Sequence, residues 1–178
     1  MATRIIRLGT LLRDADAIAD LHTRSRQDAY RGLYGDHYLD HQLPAISRAV
    51  WRERFQDYAP STDLILAAMD DTAPVALAYA SFRVNPDVGL LVDNLHVAPE
   101  RRGQGLASRL LSEVALWLRN VHAGAALHLE VYAPNADALG FYARKGGVEV
   151  ARYRETPPGG REIEVVRFRW SRPEDLFI

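Results

Sequence analysis

The spacing of hydrophobic residues divides the chain into segments with different periods. Apolar runs of strand length, bounded by polar turns, predict strands at residues 3–8, 64–69, 75–84 and 90–97. Apolar residues at helical spacing predict two helices, at residues 12–25 and 46–58. The stretch between these helices, residues 26–41, is rich in Tyr, His, Asp and Gly and has no clean period, so we expect it to be irregular.

From residue 90 onward the predicted order becomes strand, glycine turn, helix, strand, helix. Segment 105–120 has the strongest pattern, because its apolar side chains fall in one continuous arc at about 100° per residue. A strand at 127–132, a helix at 135–145 and a hairpin turned at 157–160 follow. The pattern predicts an α+β fold with a mixed, mostly antiparallel sheet of six to seven strands and about four helices. The crossover from residue 90 to residue 132 predicts the parallel pair of strands.

Length and charge narrow the class of protein. The chain has 178 residues, which we interpret as a single domain over residues 1–178. With 22 basic and 23 acidic residues the net charge is −1, and no run of five like charges occurs, so no nucleic-acid partner is expected. No apolar stretch approaches the ~20 residues of a membrane span. Residues 1–9 do not have the long apolar core of a signal peptide and the sequence has no cysteine, so we expect a cytoplasmic protein with no membrane partner.

The candidate chemistry starts at the glycine turn, residues 101–107. Gly103 and Gly105 allow a sharp turn between a strand and an amphipathic helix. The first amides of that helix have no partner within it and attract anions, and Arg101 and Arg102 are expected to add positive charge. A Walker loop would require Gly-Lys-Ser/Thr, which does not occur in the sequence. A dinucleotide fingerprint would require Gly or Ala at Ser108.

The turn instead matches Arg/Gln-x-x-Gly-x-Gly/Ala through Arg102, Gly105 and Ala107. In this it resembles the acyl-CoA-binding segment of the GNAT superfamily of N-acyltransferases. The resemblance implies a GNAT-like three-layer fold and acetyl-CoA as cosubstrate. It also implies that the strand before the turn bonds the pantetheine arm through backbone amides. The implied coenzyme-binding residues are Leu95, His96, Val97, Arg102, Gly103, Gln104, Gly105, Leu106 and Ala107.

Residues 129–147 strengthen the resemblance, and they look most like the branch that acetylates protein N-terminal amines. Glu130 lies opposite the aliphatic residues of its strand, and Asn135 and Tyr142 lie two helical turns apart on one face. A protonated amine cannot attack a thioester, so Glu130 is the candidate base, directly or through a water. Tyr142 is the candidate proton donor to the leaving thiolate. Gly147 departs from the family, which usually has Phe at this position.

Each of these roles has a simpler structural alternative. Tyr142 could be a core tyrosine, Glu130 a solvated strand residue, and Asn135 a helix cap as well as a coenzyme ligand. Three further residues compete with Glu130 as base: Asp93, His96 and Glu149. Asp93 shares the strand face of Leu95 unless a bulge intervenes.

The acceptor side is less defined. In the GNAT layout the irregular early segment lines the acceptor groove, so Tyr30, Tyr34 and Asp93 are candidate contacts for a small-molecule or peptide amine. The six histidines lack the spacing of a metal centre, and no metal is expected. An exposed edge could pair two chains as a homodimer. Two other classes stay open: a non-catalytic acyl-CoA-binding regulatory module and a nucleotide-binding redox domain.

Overall fold

A computed structural model describes residues 3–8, 14–71, 73–84 and 87–177 of the chain. The strands are β1 (Arg4–Leu8), β2 (Asp63–Asp70), β3 (Ala73–Ser81), β4 (Leu90–Val97), β5 (Leu127–Tyr132), β6 (Val148–Glu155) and β7 (Ile163–Trp170). The α-helices are α1 (Ala15–Ala29), α2 (Leu43–Gln56), α3 (Leu106–Val121) and α4 (Ala136–Arg144). Short helical turns cover Tyr38–Gln42, which is a π-helix, and Pro99–Arg101 and Pro173–Leu176, which are 3-10.

The strands form one seven-stranded sheet in the order β1-β2-β3-β4-β5-β7-β6. Neighbouring strands are antiparallel except β4 and β5, which are parallel. This confirms the predicted fold class, including the single parallel pair. Within the described residues, no helix has the length and hydropathy required to cross a membrane.

Successive side chains of the central strands point to opposite faces of the sheet, and helices pack on both faces, so the fold has three layers. One face of β2 and β3 packs on α1 and α2 through Ile65, Ala67, Leu77 and Tyr79. The other face packs on α3 and α4 through residues that include Leu64, Leu66, Ala78 and Ala80. The predicted arc of α3 is confirmed, because its buried residues include Leu106, Leu110, Leu111, Val114, Trp117 and Leu118. Burying each such large apolar side chain contributes about 1.5–3 kcal/mol.

The parallel pairing of β4 and β5 is short, and the two strands separate beyond it. β4 and β5 pair only at Leu90–Leu127 and Leu91–His128. Beyond that point β5 continues in unbroken register with β7, while β4 stays with β3. The β3–β4 register shifts at Asp93, which has no partner residue on β3. This is a β-bulge, whose presence the sequence did not decide. The two strands therefore diverge and leave a V-shaped gap between them.

Several predicted boundaries were wrong around α1 and α2. Residues 26–29, expected to be irregular, continue α1, since Tyr30 N–H still donates to Arg26 O at 2.9 Å. α2 begins at Leu43, not residue 46, with Pro44 in its first turn, and it ends at Gln56. The predicted start of the first helix at residue 12 lies outside the described residues.

The departure at Gly147 has a packing explanation. A Cβ on Gly147 would lie 2.6 Å from Trp170 Cζ2 and 3.1 Å from Phe168 Cδ1. Trp170 is fixed there, because its indole N–H donates to Lys145 O at 2.8 Å. Two aromatic side chains of β7 therefore occupy the space beside residue 147, and only glycine fits between them and α4.

Candidate active site

The diverging strands β4 and β5 open into a cleft of about 1010 Å³. Its walls are the C-terminal part of α1, the outer halves of both strands, the glycine turn with the start of α3, and α4. Most of the predicted site residues line this cleft, although they come from elements far apart in the chain. The two exceptions are Gln104 and Tyr34, which lie outside its wall.

The glycine turn forms one end of the cleft. Gly103 and Gly105 have φ angles of +74° and +75°, in the left-handed region that glycine adopts without strain. A Cβ on either residue would meet no heavy atom within 4 Å, so conformation and not space requires glycine. Gly105 is the N-cap of α3, and no described side chain caps the helix there. The first amides of α3 are therefore available to an anion.

The two arginines of the turn both line the cleft and have different partners. Arg101 is bound to Asp70, and it also donates to Thr3 Oγ1 and Gln104 Oε1, each at 3.0 Å. This directs Arg101 toward β1 and β2. Arg102 lines the cleft and forms an ion pair of 2.6 Å with Asp28 of α1. Both arginines therefore face the cleft, Arg101 paired with Asp70 and Arg102 paired with Asp28.

The outer half of β4 provides backbone and a neutral histidine. Beyond Leu91, β3 pairs with one edge of β4, and no described strand pairs with the other edge. Leu95, His96 and Val97 line the cleft along this stretch. His96 Nδ1 lies 3.1 Å from Ser25 Oγ, and burial lowers the pKa of His96 to about 3. The imidazole is therefore neutral near pH 7, and it is too weakly basic to be a good proton acceptor.

Tyr142 and Asn135 project from α4 into the same cleft. Tyr142 is 9% exposed and packs beside Phe168 and Trp170, at ring-centroid distances of 5.9 and 6.2 Å. Burial raises the pKa of Tyr142, which keeps its hydroxyl protonated and able to donate. Asn135 Oδ1 accepts from Ala138 N–H at 3.1 Å, so the predicted cap is confirmed. Its coenzyme contact stays a prediction.

Glu130 lies on β5 at the wall of the cleft and is held by β7. Arg167 donates to Glu130 Oε1 from Nε at 3.0 Å and from Nη2 at 2.6 Å. Burial and the neighbouring Glu130 carboxylate raise the pKa of Tyr153 of β6. Among the competing bases, Asp93 lines the cleft, paired with Arg54 of α2. Glu149 is paired with Arg152 and lies outside the cleft wall.

Tyrosine side chains lie at the end of the cleft where the sequence predicts the acceptor, called the acceptor end from here on. Tyr30 lines the cleft, and burial raises its pKa to about 12. Tyr34 is stacked on Tyr30 with ring centroids 5.2 Å apart, and its hydroxyl lies 2.7 Å from that of Tyr132. Tyr132 in turn donates to Glu155 at 2.5 Å. Tyr34 therefore supports Tyr30 from the side and does not reach the cleft wall itself.

Sequence reasoning missed the contribution of α1 and part of α4. Ser25, Asp28 and Ala29 of α1 line the cleft, as do Asp137 and Phe141 of α4. No local motif marks the α1 residues, because their position depends on how α1 packs over β4. Groups of three or more His, Asp or Glu side chains that could hold a metal do not occur among the described residues.

Comparison with known proteins agrees with this geometry. The model of the Acetyltransferase (GNAT) family matches residues 18–147, and the chain belongs to this family. Comparison with the curated proteins gives no significant match.

Solved structures share the fold. PaiA N-acetyltransferase from Thermoplasma acidophilum, in complex with coenzyme A, is 17% identical with a TM-score of 0.71, covering 96% of this chain and 100% of that chain. YncA from Salmonella typhimurium, with its cofactor acetyl-CoA, is 15% identical with a TM-score of 0.70, covering 96% and 94%. Ribosomal-protein-alanine N-acetyltransferase from Brucella melitensis is 17% identical with a TM-score of 0.70, covering 94% and 98%.

Proposed function

We propose that the chain transfers the acetyl group of acetyl-CoA to a primary amine by direct attack within a ternary complex. The observation that carries this proposal is the divergence of β4 and β5 beyond Leu91 and His128. It creates one cleft that has an anion-binding turn at one end and ionisable side chains further in. Both substrates can therefore occupy the same cleft at once.

The coenzyme fits the backbone of this cleft. Its diphosphate would accept from the amides at Gly103 and Gly105 and pair with Arg102. Its pantetheine amides would bond the free edge of β4 near Leu95–Val97, as an added strand does. The neighbours that were solved with coenzyme A and acetyl-CoA support this choice of ligand.

Two side chains of this chain would move the protons. Glu130, directly or through a water, takes a proton from the amine, whose pKa is ~10 when free. As the C–N bond forms and the C–S bond breaks, Tyr142 donates its proton to the leaving sulfur, and the attacking nitrogen gives its second proton to solvent water. The tyrosinate then recovers a proton from solvent and the protonated Glu130 releases one to it, so the net products are an amide, free coenzyme A and one proton.

The acceptor is a small-molecule or peptide amine. At this end of the cleft, each carboxylate already has an arginine partner: Glu130 has Arg167 and Asp93 has Arg54. The surroundings are therefore close to electrically neutral, and they do not repel the uncharged amine that must attack. Tyr30 provides an aromatic wall for the carbon skeleton of the acceptor.

An assay of thiol release tests the proposal. Acetyl-CoA is incubated with a panel of small amines, peptides and aminoglycosides, and acetylated product is identified by mass. We expect turnover with at least one acceptor and a loss of kcat of about tenfold or more in Glu130→Gln. Glu149→Gln, which removes a carboxylate paired with Arg152 outside the cleft, is the control and should keep full activity. An unchanged kcat in Glu130→Gln would show that Glu130 is not the base.

The two other classes make different predictions. A non-catalytic module would bind coenzyme A and release no thiol with any acceptor. A redox domain would be stabilised against heat by NAD. Thermal shift with coenzyme A, ATP and NAD separates these cases, since a ligand that binds the folded state raises its Tm. Stabilisation by NAD alone would overturn the acetyltransferase proposal.

Dimerisation is a separate proposal, supported by the sheet edge. β6 is an edge strand, and Val148 and Val150 on it are 63% and 49% exposed. Apolar side chains beside unpaired strand edges favour association. Light scattering of the purified chain tests this directly, and a monomer at high concentration would contradict it.

A further inference from the structure

An ion pair spans the mouth of the cleft at the glycine turn. Asp28, near the end of α1, lies 2.6 Å from the guanidinium of Arg102. Both side chains line the cleft and are roughly half exposed, at 46% and 47%. The pair therefore joins α1 to the glycine turn, beside the anion-binding amides.

The two arginines of the turn differ in their partners. Arg101 also lines the cleft, but it is tied to Asp70 and Thr3. Arg102, next to Gly103, is a second side-chain cation at the turn, and in this structure the carboxylate of Asp28 already occupies it.

We infer that Asp28 is a determinant of coenzyme affinity: its carboxylate takes the place on Arg102 that the coenzyme diphosphate takes when it binds. This inference rests on the proposed function. Binding exchanges one anionic partner of Arg102 for another, and Asp28 is left without its cation beside a diphosphate of the same charge. Asp28 therefore weakens the binding of anionic ligands and leaves uncharged ligands unaffected.

Two ligands separate this effect from a general disturbance of the cleft. Coenzyme A carries the diphosphate, and acetyl-pantetheine keeps the thioester arm without it. Dissociation constants for both are measured by calorimetry on the wild-type chain, Asp28→Asn, Arg102→Gln and the double variant. We expect Asp28→Asn to tighten coenzyme A binding about two- to fivefold, the range that a half-exposed ion pair allows.

The double variant shows whether Asp28 acts through Arg102. In the Arg102→Gln background, Asp28→Asn should have a markedly smaller effect, since the partner for which it competes is absent. Acetyl-pantetheine should bind all four proteins with the same affinity. Glu100→Gln is the matched control, because Glu100 also faces α1, 3.8 Å from Arg24, and neither residue lines the cleft. Its effect on coenzyme A should be smaller than that of Asp28→Asn.

The contrary results are distinct. Weaker or unchanged coenzyme A binding in Asp28→Asn would show that Asp28 orients Arg102 or has no part in binding, and either would overturn the inference. An equal gain for acetyl-pantetheine would overturn it too, because the effect would not involve the diphosphate. Absence of coenzyme A binding in the wild-type chain would instead refute the proposed function.

Discussion

The two ends of the cleft differ in whether backbone or side chains provide their polar groups. At the coenzyme end, backbone dominates: left-handed Gly103 and Gly105 present amides, and Arg102 adds one charge. At the acceptor end, side chains dominate, and they come in cross-element pairs. Glu130 of β5 is held by Arg167 of β7, and Asp93 of β4 by Arg54 of α2.

This difference shows where specificity resides in the fold. A backbone site depends on the conformation of a few adjacent residues, so it recognises the same ligand on many different sequences. A site made of paired side chains changes whenever one partner changes. If the proposed function holds, we therefore expect the glycine turn to bind the coenzyme whatever the neighbouring side chains, and the paired side chains to select the amine.

The largest expected effect is at the inner part of the cleft. Tyr142→Phe should lower kcat about a hundredfold, because the leaving thiolate loses its proton donor while the buried ring is kept. The affinity for coenzyme A should be unchanged, since Tyr142 lies on α4 and not on the glycine turn. Steady-state kinetics on an identified acceptor, with calorimetry for coenzyme A, measures both. Tyr38→Phe, whose ring stacks on Tyr34 away from the cleft wall, should behave as wild type. An unchanged kcat in Tyr142→Phe would show that Tyr142 is a residue of the hydrophobic core and not the proton donor.

A smaller effect is expected at the glycine turn. Gly105→Ala places a Cβ in the left-handed region, which costs about 1–2 kcal/mol, and the turn relaxes by moving its amides. Coenzyme A should bind about five- to tenfold more weakly, with little change in kcat at saturation. Gly124→Ala is the matched control, because Gly124 has a φ of +85°, its Cβ would meet no heavy atom within 4 Å, and it does not line the cleft. It should lower the Tm about as much as Gly105→Ala does and leave binding unaltered. Equal binding by Gly105→Ala would argue against the backbone site.

A separate effect is on stability and not on activity, and it tests the neutral histidines beside the coenzyme end. Burial lowers the pKa of His22 and His96 below the ordinary 6.5. Below that value the unfolded chain takes up protons that the folded chain does not, so the free energy of unfolding falls as the pH falls. Each histidine contributes a slope of about 1.4 kcal/mol per pH unit within this window.

Urea unfolding at pH 7 and pH 5 measures this slope. His96→Gln should reduce the loss of stability between the two pH values, while His37→Gln, at an exposed position, should not. The same slope in wild type and His96→Gln would mean that His96 is not held neutral by burial.

Much of the fold followed from local pattern. The α3 arc, the β2–β3 hairpin and the β4-α3-β5 crossover were all predicted, because period and turn residues act over a few positions. The continuation of α1 through Ala29 was missed, since residues 26–28 are polar and Arg26 packs on the ring of Tyr34, so no apolar stripe marks this turn of the helix. The bulge at Asp93 also left no sequence signal, because it depends on register with β3.

The sequence by itself determined the coenzyme end, since φ angles at two glycines and the free amides of the following helix are properties of adjacent residues. It also placed Glu130 and Tyr142 on the correct faces of their elements. Only the tertiary structure decided the partners: Asp28 with Arg102, Glu130 with Arg167, and Asp93 with Arg54. Such pairs join residues distant in the chain, and packing of whole helices and strands sets their distances, which no local pattern encodes.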